Sequence, residues 1–421
     1  MSPAPADAAP PEPGAARDLP ADFLWGTAIS AHQSEGGNVN SDSWLLEHVS
    51  PSAYAEPSGD ACDSYHRYGE DIALAAELGF NCHRLGIEWA RIEPEPGVFS
   101  VAALDHYARV LEACHAHGLK PMVTFNHFTV PRWFAARGGF EEADSPALFA
   151  RFAERAAAAL GDRMAYATTF NEANIPLLIR LMRGGRAGPR IAAMVAAAAH
   201  ASGSPRFSSM LFADPDAITP NLIKAHALAY EAIKAGPGDV PVGLTLTMQH
   251  IEAVGENSLA DTVRSAIYGD WWAQARTHSD FIGVQTYTRM RIDAKGLVRP
   301  PEGAEMTAAG YEFRPQALGE TIRLAARETG KPVYVTESGI ATDDDARRIA
   351  FIDQALAQVR ACMDEGIAVK SFIQWSLLDN FEWTKGYGEH FGLVSVDAET
   401  FARTPKPSAR HLGRIARANR L

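Results

Sequence analysis

The alternation of strand-like and helix-like segments constrains the fold of this chain most strongly. Eight short runs of apolar, β-branched or aromatic residues are typical of strands. They are residues 23–27, 81–89, 120–126, 166–170, 241–247, 281–285, 333–336 and 369–376. Segments with helical spacing, such as 63–78 and 145–160, lie between them. Strands that alternate with helices form a parallel sheet, and eight such units predict a closed (β/α)8 barrel.

Unusual polar or aromatic side chains fall in or just after these strands, most of them near the C-terminal ends. They are Gln33, Arg84, His127, Asn171, Glu172, Tyr287, Glu337 and Trp375. Barrel enzymes keep their active sites at that face, so the pattern predicts an active site there. Arg84 lies inside a strand so apolar that it requires a carboxylate partner.

Two glutamates each end a short β-like run. Glu337 follows V-Y-V-T, and Glu172 follows A-T-T-F-N. Glycoside hydrolysis needs such a pair, in which one acid protonates the leaving oxygen and the other acts as nucleophile or base. If Arg84 and the Tyr287 hydroxyl stabilise an ionised Glu337, the nearby Glu172 keeps its proton. Taken alone, either glutamate could equally be a salt-bridged structural acid.

Composition narrows the class of protein. The 421 residues are 47% apolar with a net charge of −12, which suits one large barrel and disfavours nucleic acid and anionic membranes as partners. No apolar run is long enough to span a bilayer. Four cysteines without paired spacing, and no secretory signal, favour the cytoplasm. Residues 1–20 are interpreted as a disordered tail and residues 21–421 as the barrel domain.

No metal or cofactor motif is present in the sequence. There is no H-E-x-x-H motif, no paired-cysteine spacing, and no glycine-rich phosphate loop between a strand and a helix. We therefore expect neither a metal ion nor an organic cofactor.

Six motifs occur in order along most of the chain. They are F-L-W-G-T-A-I-S-A-H-Q-S-E-G, H-R-L-G-I-E-W-A-R-I-E-P, T-F-N-H-F-T-V-P-R-W, T-F-N-E-A-N, T-E-S-G-I-A, and W-S-L-L-D-N-F-E-W followed by G-Y-G-E-H-F-G-L-V-S-V-D. Together they resemble glycoside hydrolase family 1, the β-glucosidase family, from residue 23 to residue 409.

The resemblance implies a role for each matching residue. Glu172 would be the acid/base and Glu337 the nucleophile of a retaining exo-β-glycosidase. Arg84 and Tyr287 would contact that nucleophile. The residues implied in binding the substrate, a small β-glycoside, are Gln33, His127, Asn171, Tyr287, Trp375, Glu382 and Trp383. Trp375 would form the platform under the sugar. The family uses neither a metal nor an organic cofactor.

Several positions depart from the usual family pattern. They are Ala173 for proline, Gln285 and Thr286 for N-Y before Tyr287, Ser338 for asparagine, and His390 for arginine. Residues 180–219 align with no family segment. We interpret them as an irregular, mobile loop over the barrel mouth, with arginines that form a solvated face. That loop should line the leaving-group side.

The main hypothesis is a β-glucosidase, with β-galactosidase and β-fucosidase activities as close competitors on the same contacts. A transglycosylase would use the same residues. The opposing class is a sugar-binding barrel that has lost turnover, and the presence of both glutamates argues against it. The sequence leaves the aglycone, the preferred sugar and the oligomeric state open.

Overall fold

The computed structural model of the protein describes residues 17–184 and 188–421. In this part of the chain, eight parallel strands form a closed barrel. In chain order they are β1 (Leu24–Ala28), β2 (Cys82–Gly86), β3 (Lys120–Asn126), β4 (Tyr166–Phe170), β5 (Val242–Thr247), β6 (Phe281–Gln285), β7 (Val333–Ser338) and β8 (Val369–Trp375). Each strand pairs with its neighbours in sequence, and β8 closes on β1. The predicted (β/α)8 barrel is confirmed.

Helices cover the outside of the barrel and its rims. They are α1 (Ala31–Ser34), α2 (Asp42–His48), α3 (Ser64–Leu78), α4 (Trp89–Ile92), α5 (Val101–Ala116), α6 (Arg132–Arg137), α7 (Ser145–Leu160), α8 (Ile175–Met182), α9 (Pro189–Ala201), α10 (Pro215–Lys234), α11 (Ala260–Thr277), α12 (Ala317–Thr329), α13 (Asp345–Asp364) and α14 (Pro407–Ala418). None of the helices that the structure describes is long and apolar enough to cross a membrane.

Short elements decorate the connections between strands and helices. Single turns of 3-10 helix are Gly139–Glu141, Gly161–Arg163 and Trp383–Lys385. One small sheet joins His250–Ala253, Arg289–Asp293 and Gly296–Val298, and another pairs Val394–Val396 with Arg403–Pro405. The three-stranded sheet lies after β5 and β6 in the chain, so it belongs to the loops at the C-terminal face.

Strand β2 is shorter than the sequence predicts. The predicted strand 81–89 ends at Gly86, and Trp89 begins the short helix α4. The Glu88 side chain caps this helix by accepting a hydrogen bond from the Ala90 amide at 3.2 Å. The run I-E-W has strand-like composition, but tertiary packing of the Trp89 ring against Phe152 overrides that preference.

The segment 180–219 is largely helical, so its prediction as an irregular loop is wrong. It contains the end of α8, all of α9 and the start of α10, whereas residues 185–187 lie outside the described residues. Helix α9 carries a proline in its first turn and buries Met194, Ala198 and Ala199. Its alanine-rich sequence has little hydrophobic contrast, which explains why periodicity did not reveal a helix there.

The predicted tail is only partly covered by the structure. Residues 1–16 lie outside the described residues. Residues 17–20 contact the end of the chain: the Arg17 and Leu19 amides donate to the carbonyl groups of Leu421 and Asn419 at 2.6 and 2.9 Å. Leu19 is also buried. The folded part of the chain therefore begins before residue 21.

Apolar side chains form two separate clusters. The larger one packs the helices against the strands. The smaller one gathers strand residues such as Leu24, Cys82, Met122 and Ile373, and we assign it to the barrel interior. These four residues precede the C-terminal ends of their strands, so the interior is filled with apolar groups below the polar residues at that face.

Candidate active site

A cavity of about 480 Å³ opens at the C-terminal face of the barrel. Its lining includes the sequence-predicted residues Gln33, His127, Asn171, Glu172, Tyr287, Glu337, Trp375, Glu382 and Trp383. Arg84 is fully buried and contacts two of them, Asn171 and Glu337. The structure thus brings every predicted site residue together around one space.

Two donors hold the Glu337 carboxylate near the end of β7. The Arg84 guanidinium forms an ion pair with one carboxylate oxygen. The Tyr287 hydroxyl donates to the other oxygen at 2.6 Å. Arg84 also donates to the Asn171 side-chain oxygen at 2.6 Å. Glu337 is therefore the carboxylate partner that the sequence requires for Arg84, and Arg84 holds this carboxylate at the cavity wall.

The surroundings of Glu172 and Glu337 shift the pKa values of the two carboxyl groups differently. Burial, and then the nearby Glu337 charge, raises the pKa of Glu172 to about 8. Burial also raises the pKa of Glu337, but Arg84 and the Tyr287 hydroxyl oppose that increase. Only Glu337 has an arginine in direct contact, so around neutral pH the proton resides on Glu172 and the charge on Glu337.

Gln285 joins Asn171 to the Glu172 backbone, a role that the sequence did not reveal. Its amide nitrogen donates to the Asn171 side-chain oxygen at 2.6 Å, and its amide oxygen accepts from the Glu172 backbone N–H at 3.1 Å. The available signal was a glutamine at the end of the apolar run F-I-G-V-Q. Sequence comparison noted Gln285 only as a departure from the family pattern.

Aromatic rings form one wall of the cavity. The His127 ring stacks on Trp375 with centroids 5.4 Å apart and on Trp383 at 6.3 Å. Burial lowers the pKa of His127 well below its usual value, so the ring is neutral. Its Nδ1 atom is buried and has no hydrogen-bond partner among the described residues. Such a wall suits a sugar ring, which presents C–H surfaces and hydroxyl groups together.

Glu382 and Gln33 form a polar edge of the cavity. The Gln33 amide nitrogen donates to the Phe381 carbonyl at 2.8 Å and to Glu382 at 3.2 Å, and the Ser30 hydroxyl donates to the Gln33 amide oxygen at 2.7 Å. Burial, and then the charge of Glu389, raises the pKa of Glu382 to about 8. Glu389 itself lines the cavity and forms an ion pair with Lys385 at 3.4 Å. Glu389 lies within the motif G-Y-G-E-H-F-G, but the resemblance assigned it no role.

Three residues that are not glycine line the cavity with a left-handed backbone. Phe128, Glu172 and Trp383 have φ angles of 73°, 43° and 47°. Such conformations cost on the order of 1–3 kcal/mol each and persist where the surrounding structure enforces them. The surrounding structure therefore holds these three residues in costly conformations that position their side chains around the cavity.

A close approach between β7 and β8 fixes the position of Glu337. A Cβ atom added at Gly339 would lie 2.1 Å from the Trp375 carbonyl oxygen. No residue with a side chain fits there without moving one of the two strands. Glycine at 339 thus sets the spacing between the Glu337 carboxylate and the Trp375 ring.

The segment after β4 lines the mouth of the cavity. Helix α8 contributes Leu178 and Met182, and Leu211 and Phe212 come from the stretch between α9 and α10. Residues of the segment 180–219 thus reach the mouth as expected, from the end of α8 and from the stretch between α9 and α10. The mouth is more apolar here than at the glutamates.

Fold and site together define a class of enzyme, the barrel glycosidases. Two buried carboxyl groups of unlike pKa share a cavity at the C-terminal face of a (β/α)8 barrel, beside an aromatic wall. Within residues 17–184 and 188–421, no cluster of three or more His, Cys, Asp or Glu side chains is arranged to hold a metal ion.

Comparison with known proteins gives the family. The model of glycosyl hydrolase family 1 matches residues 15–293 and 276–421. The chain belongs to this family and is a glycoside hydrolase. The resemblance drawn from the six motifs is confirmed.

Individual relatives agree with this assignment. The chain is 26% identical to beta-glucosidase A of Thermotoga maritima, over 96% of this chain and 99% of that protein. Among solved structures it is similar to the apo structure of beta-glucosidase 1317, with a TM-score of 0.91 and 50% identity over 94% of this chain and 98% of the other. It is also similar to beta-glycosidase BGL167, with a TM-score of 0.90 and 48% identity over 95% and 97% of the two chains.

Proposed function

We propose that the protein is a retaining exo-β-glycosidase that removes terminal β-D-glucosyl residues. The observation that carries this proposal is the placement of two buried carboxyl groups around one cavity, of which only Glu337 is held by Arg84. Relatives named beta-glucosidase support glucose as the sugar. The preference for glucosides over galactosides or fucosides is part of the proposal.

In the first step, Glu172 donates its proton to the glycosidic oxygen as the Glu337 carboxylate attacks the anomeric carbon. The bond between that carbon and the aglycone oxygen breaks, and an ester bond to Glu337 forms. The aglycone leaves as a neutral alcohol. Arg84 and Tyr287 keep the Glu337 oxygens aligned before attack, because each holds one of them.

In the second step, Glu172 removes a proton from water, and the water oxygen attacks the same carbon. The ester bond breaks, and Glu337 leaves as a carboxylate. The change of role follows from electrostatics: esterification removes the Glu337 charge that helps raise the pKa of Glu172. Glu172 then ionises more easily, which is what a base in the second step requires. Two inversions give a β-anomer.

The remaining cavity residues would hold the sugar. Asn171 lies between Arg84 and Gln285, so its amide is well placed to bind the 2-hydroxyl beside Glu337. Trp375 would support the ring from below. Gln33, His127, Glu382 and Trp383 would bind the hydroxyls further from the anomeric carbon.

The state of the cysteines supports a cytoplasmic location for this enzyme. Cys62, Cys82, Cys114 and Cys362 are all free and buried. Free thiols in a fold of this size are usual in reducing compartments.

The proposed function is tested by the first product of hydrolysis. The purified enzyme should cleave 4-nitrophenyl β-D-glucoside, and proton NMR at early times should show the β-anomer of glucose before mutarotation. The α-glucoside with the same leaving group is the control and should remain intact. An α-anomer as first product, or no cleavage across a panel of aryl β-glycosides, would refute the proposal.

Changing Glu382 to alanine should weaken binding at the polar edge of the sugar. A buried hydroxyl that loses its partner costs about 1–3 kcal/mol. We expect kcat/KM for a β-D-galactoside to fall by a corresponding factor, with a much smaller fall for the β-D-fucoside, which lacks only the 6-hydroxyl. Glu382→Gln keeps the shape of the side chain, so kcat/KM for the galactoside should fall less than in Glu382→Ala. Equal falls in kcat/KM for the galactoside and the fucoside would show that Glu382 does not bind the 6-hydroxyl.

A further inference from the structure

A second cavity of about 270 Å³ opens beside the catalytic pocket. The two cavities share four lining residues, which are Leu178, Met182, Gln249 and Tyr311. Neither Glu172 nor Glu337 lines the second cavity. It is therefore a continuation of the pocket that leads away from the two carboxyl groups.

The junction between the cavities is held in place by hydrogen bonds. The Gln249 amide oxygen accepts from the Thr288 backbone N–H at 3.2 Å, and the Gln249 backbone N–H donates to the Tyr268 hydroxyl at 3.0 Å. Gln249 is buried, whereas Tyr311 is half-buried. A substrate that extends past Tyr311 thus meets a preformed passage rather than a loop that must first be ordered.

The second cavity is lined by apolar groups that solvent can reach. Met182 on α8 and Leu297 on the strand Gly296–Val298 are 51% and 44% exposed. Val298, Pro300 and Leu178 complete this lining. Exposed apolar surface that continues a reaction pocket is characteristic of a ligand groove.

The far part of this cavity carries an uncompensated positive charge. Arg289 is paired with Glu312 at 2.7 Å and with Glu252, and Arg291 lies 3.5 Å from Glu252. The Arg299 side chain is exposed and has no ion pair or hydrogen bond to the described residues. Three arginines facing two glutamates leave one positive charge, in a chain whose net charge is −12.

The cations of the catalytic pocket already have partners. Arg84 pairs with Glu337, Lys385 pairs with Glu389, and Arg183 lies over the Phe212 ring. An anionic group at the far end of the aglycone would instead meet Arg299, which has no such partner among the described residues.

We propose that the second cavity binds the aglycone and selects β-glucosides whose aglycone is long, largely apolar and carries a carboxylate at its far end. This inference rests on the proposed function, since it assigns a substrate class to the same site. The apolar lining binds the body of the aglycone, and Arg299 binds its charged end.

The test compares three substrates in the wild type and in Arg299 variants. The substrates are 4-nitrophenyl β-glucoside, whose aglycone is a single ring without a carboxylate, and two biphenyl β-glucosides with either a carboxylate or a neutral carboxamide at the distal 4′ position. An exposed charge pair changes kcat/KM by about three- to fivefold at low ionic strength. We expect the wild type to prefer the carboxylate by that factor, Arg299→Ala to lose the preference, and Arg299→Glu to reverse it.

Lys295→Ala provides the matched control. Lys295 lies in the turn of the same hairpin, is exposed, and does not line the cavity. Its loss should leave the carboxylate preference intact. An equal effect of Lys295→Ala and Arg299→Ala, or a wild-type preference for the carboxamide, would overturn the inference.

The short substrate separates the two proposals. All Arg299 variants should cleave 4-nitrophenyl β-glucoside at the wild-type rate, which also shows that they are folded. If the wild type does not cleave it, the proposed function fails. If it is cleaved normally while the charge preference is absent, only the aglycone inference fails.

Discussion

Replacing Glu337 with glycine should lower turnover of aryl β-glucosides by at least about 10⁴-fold, because no covalent intermediate can form without its carboxylate. Glu337 has two dedicated donors, Arg84 and Tyr287. No other glutamate that lines the cavity forms an ion pair with Arg84. We therefore expect no residual double displacement. Steady-state kinetics with 4-nitrophenyl β-glucoside measure the loss.

Azide distinguishes loss of the nucleophile from loss of folding in this variant. It should enter the space left by Glu337 and displace the leaving group directly, which gives an α-glycosyl azide. Glu337→Gln keeps the volume, leaves no such space, and should not be rescued. Recovery of the β-azide from Glu337→Gly would contradict the assignment of the nucleophile.

Replacing Glu172 with alanine should lower kcat/KM by about 10²–10⁴-fold for substrates whose leaving group needs a proton. A dinitrophenyl glucoside departs without protonation, so its first step should be nearly unaffected. The second step still lacks a base, and the covalent intermediate should accumulate. Azide would then attack the intermediate from the β face and give the β-glycosyl azide. The same azide anomer from both variants would disprove the two roles.

The pH dependence of the wild type should follow the proton on Glu172. Its pKa is raised to about 8, so the acid form is present below that pH and is lost as the pH rises through it. The wild type should therefore lose kcat/KM at alkaline pH. In Glu172→Ala, this alkaline decrease should disappear for the dinitrophenyl substrate, which needs no acid. If the alkaline decrease persisted in Glu172→Ala, another group would be responsible for it.

Much of the site could be predicted because its signals are local. A glutamate at the end of an apolar run, as at 172 and 337, marks the C-terminal edge of a parallel strand. The need of Arg84 for a carboxylate follows from burial alone, and the structure supplies Glu337. In both cases the signal lies within a few residues of the side chain, although the partner of Arg84 is 253 residues away.

What the sequence did not reveal depends on contacts distant in the chain, on the course of a loop, or on weak hydrophobic periodicity. Gln285 joins Asn171 and the Glu172 backbone across 114 and 113 residues. Glu389 influences Glu382 only because the loop after β8 returns toward the cavity. Helix α9 was missed because alanine carries little hydrophobic contrast.

The left-handed backbone at Phe128, Glu172 and Trp383 lowers stability at residues that line the active site. Glycine or asparagine would relieve each position, so replacing Glu172 by either should raise the melting temperature while removing the acid. At Phe128 and Trp383 the same exchange would remove rings that pack together, and that loss exceeds the relief. A search for heat resistance would therefore favour position 172, which the reaction requires. A barrel of this kind that bound sugars without cleaving them could carry glycine or asparagine at position 172 and be more stable. This chain has a glutamate there.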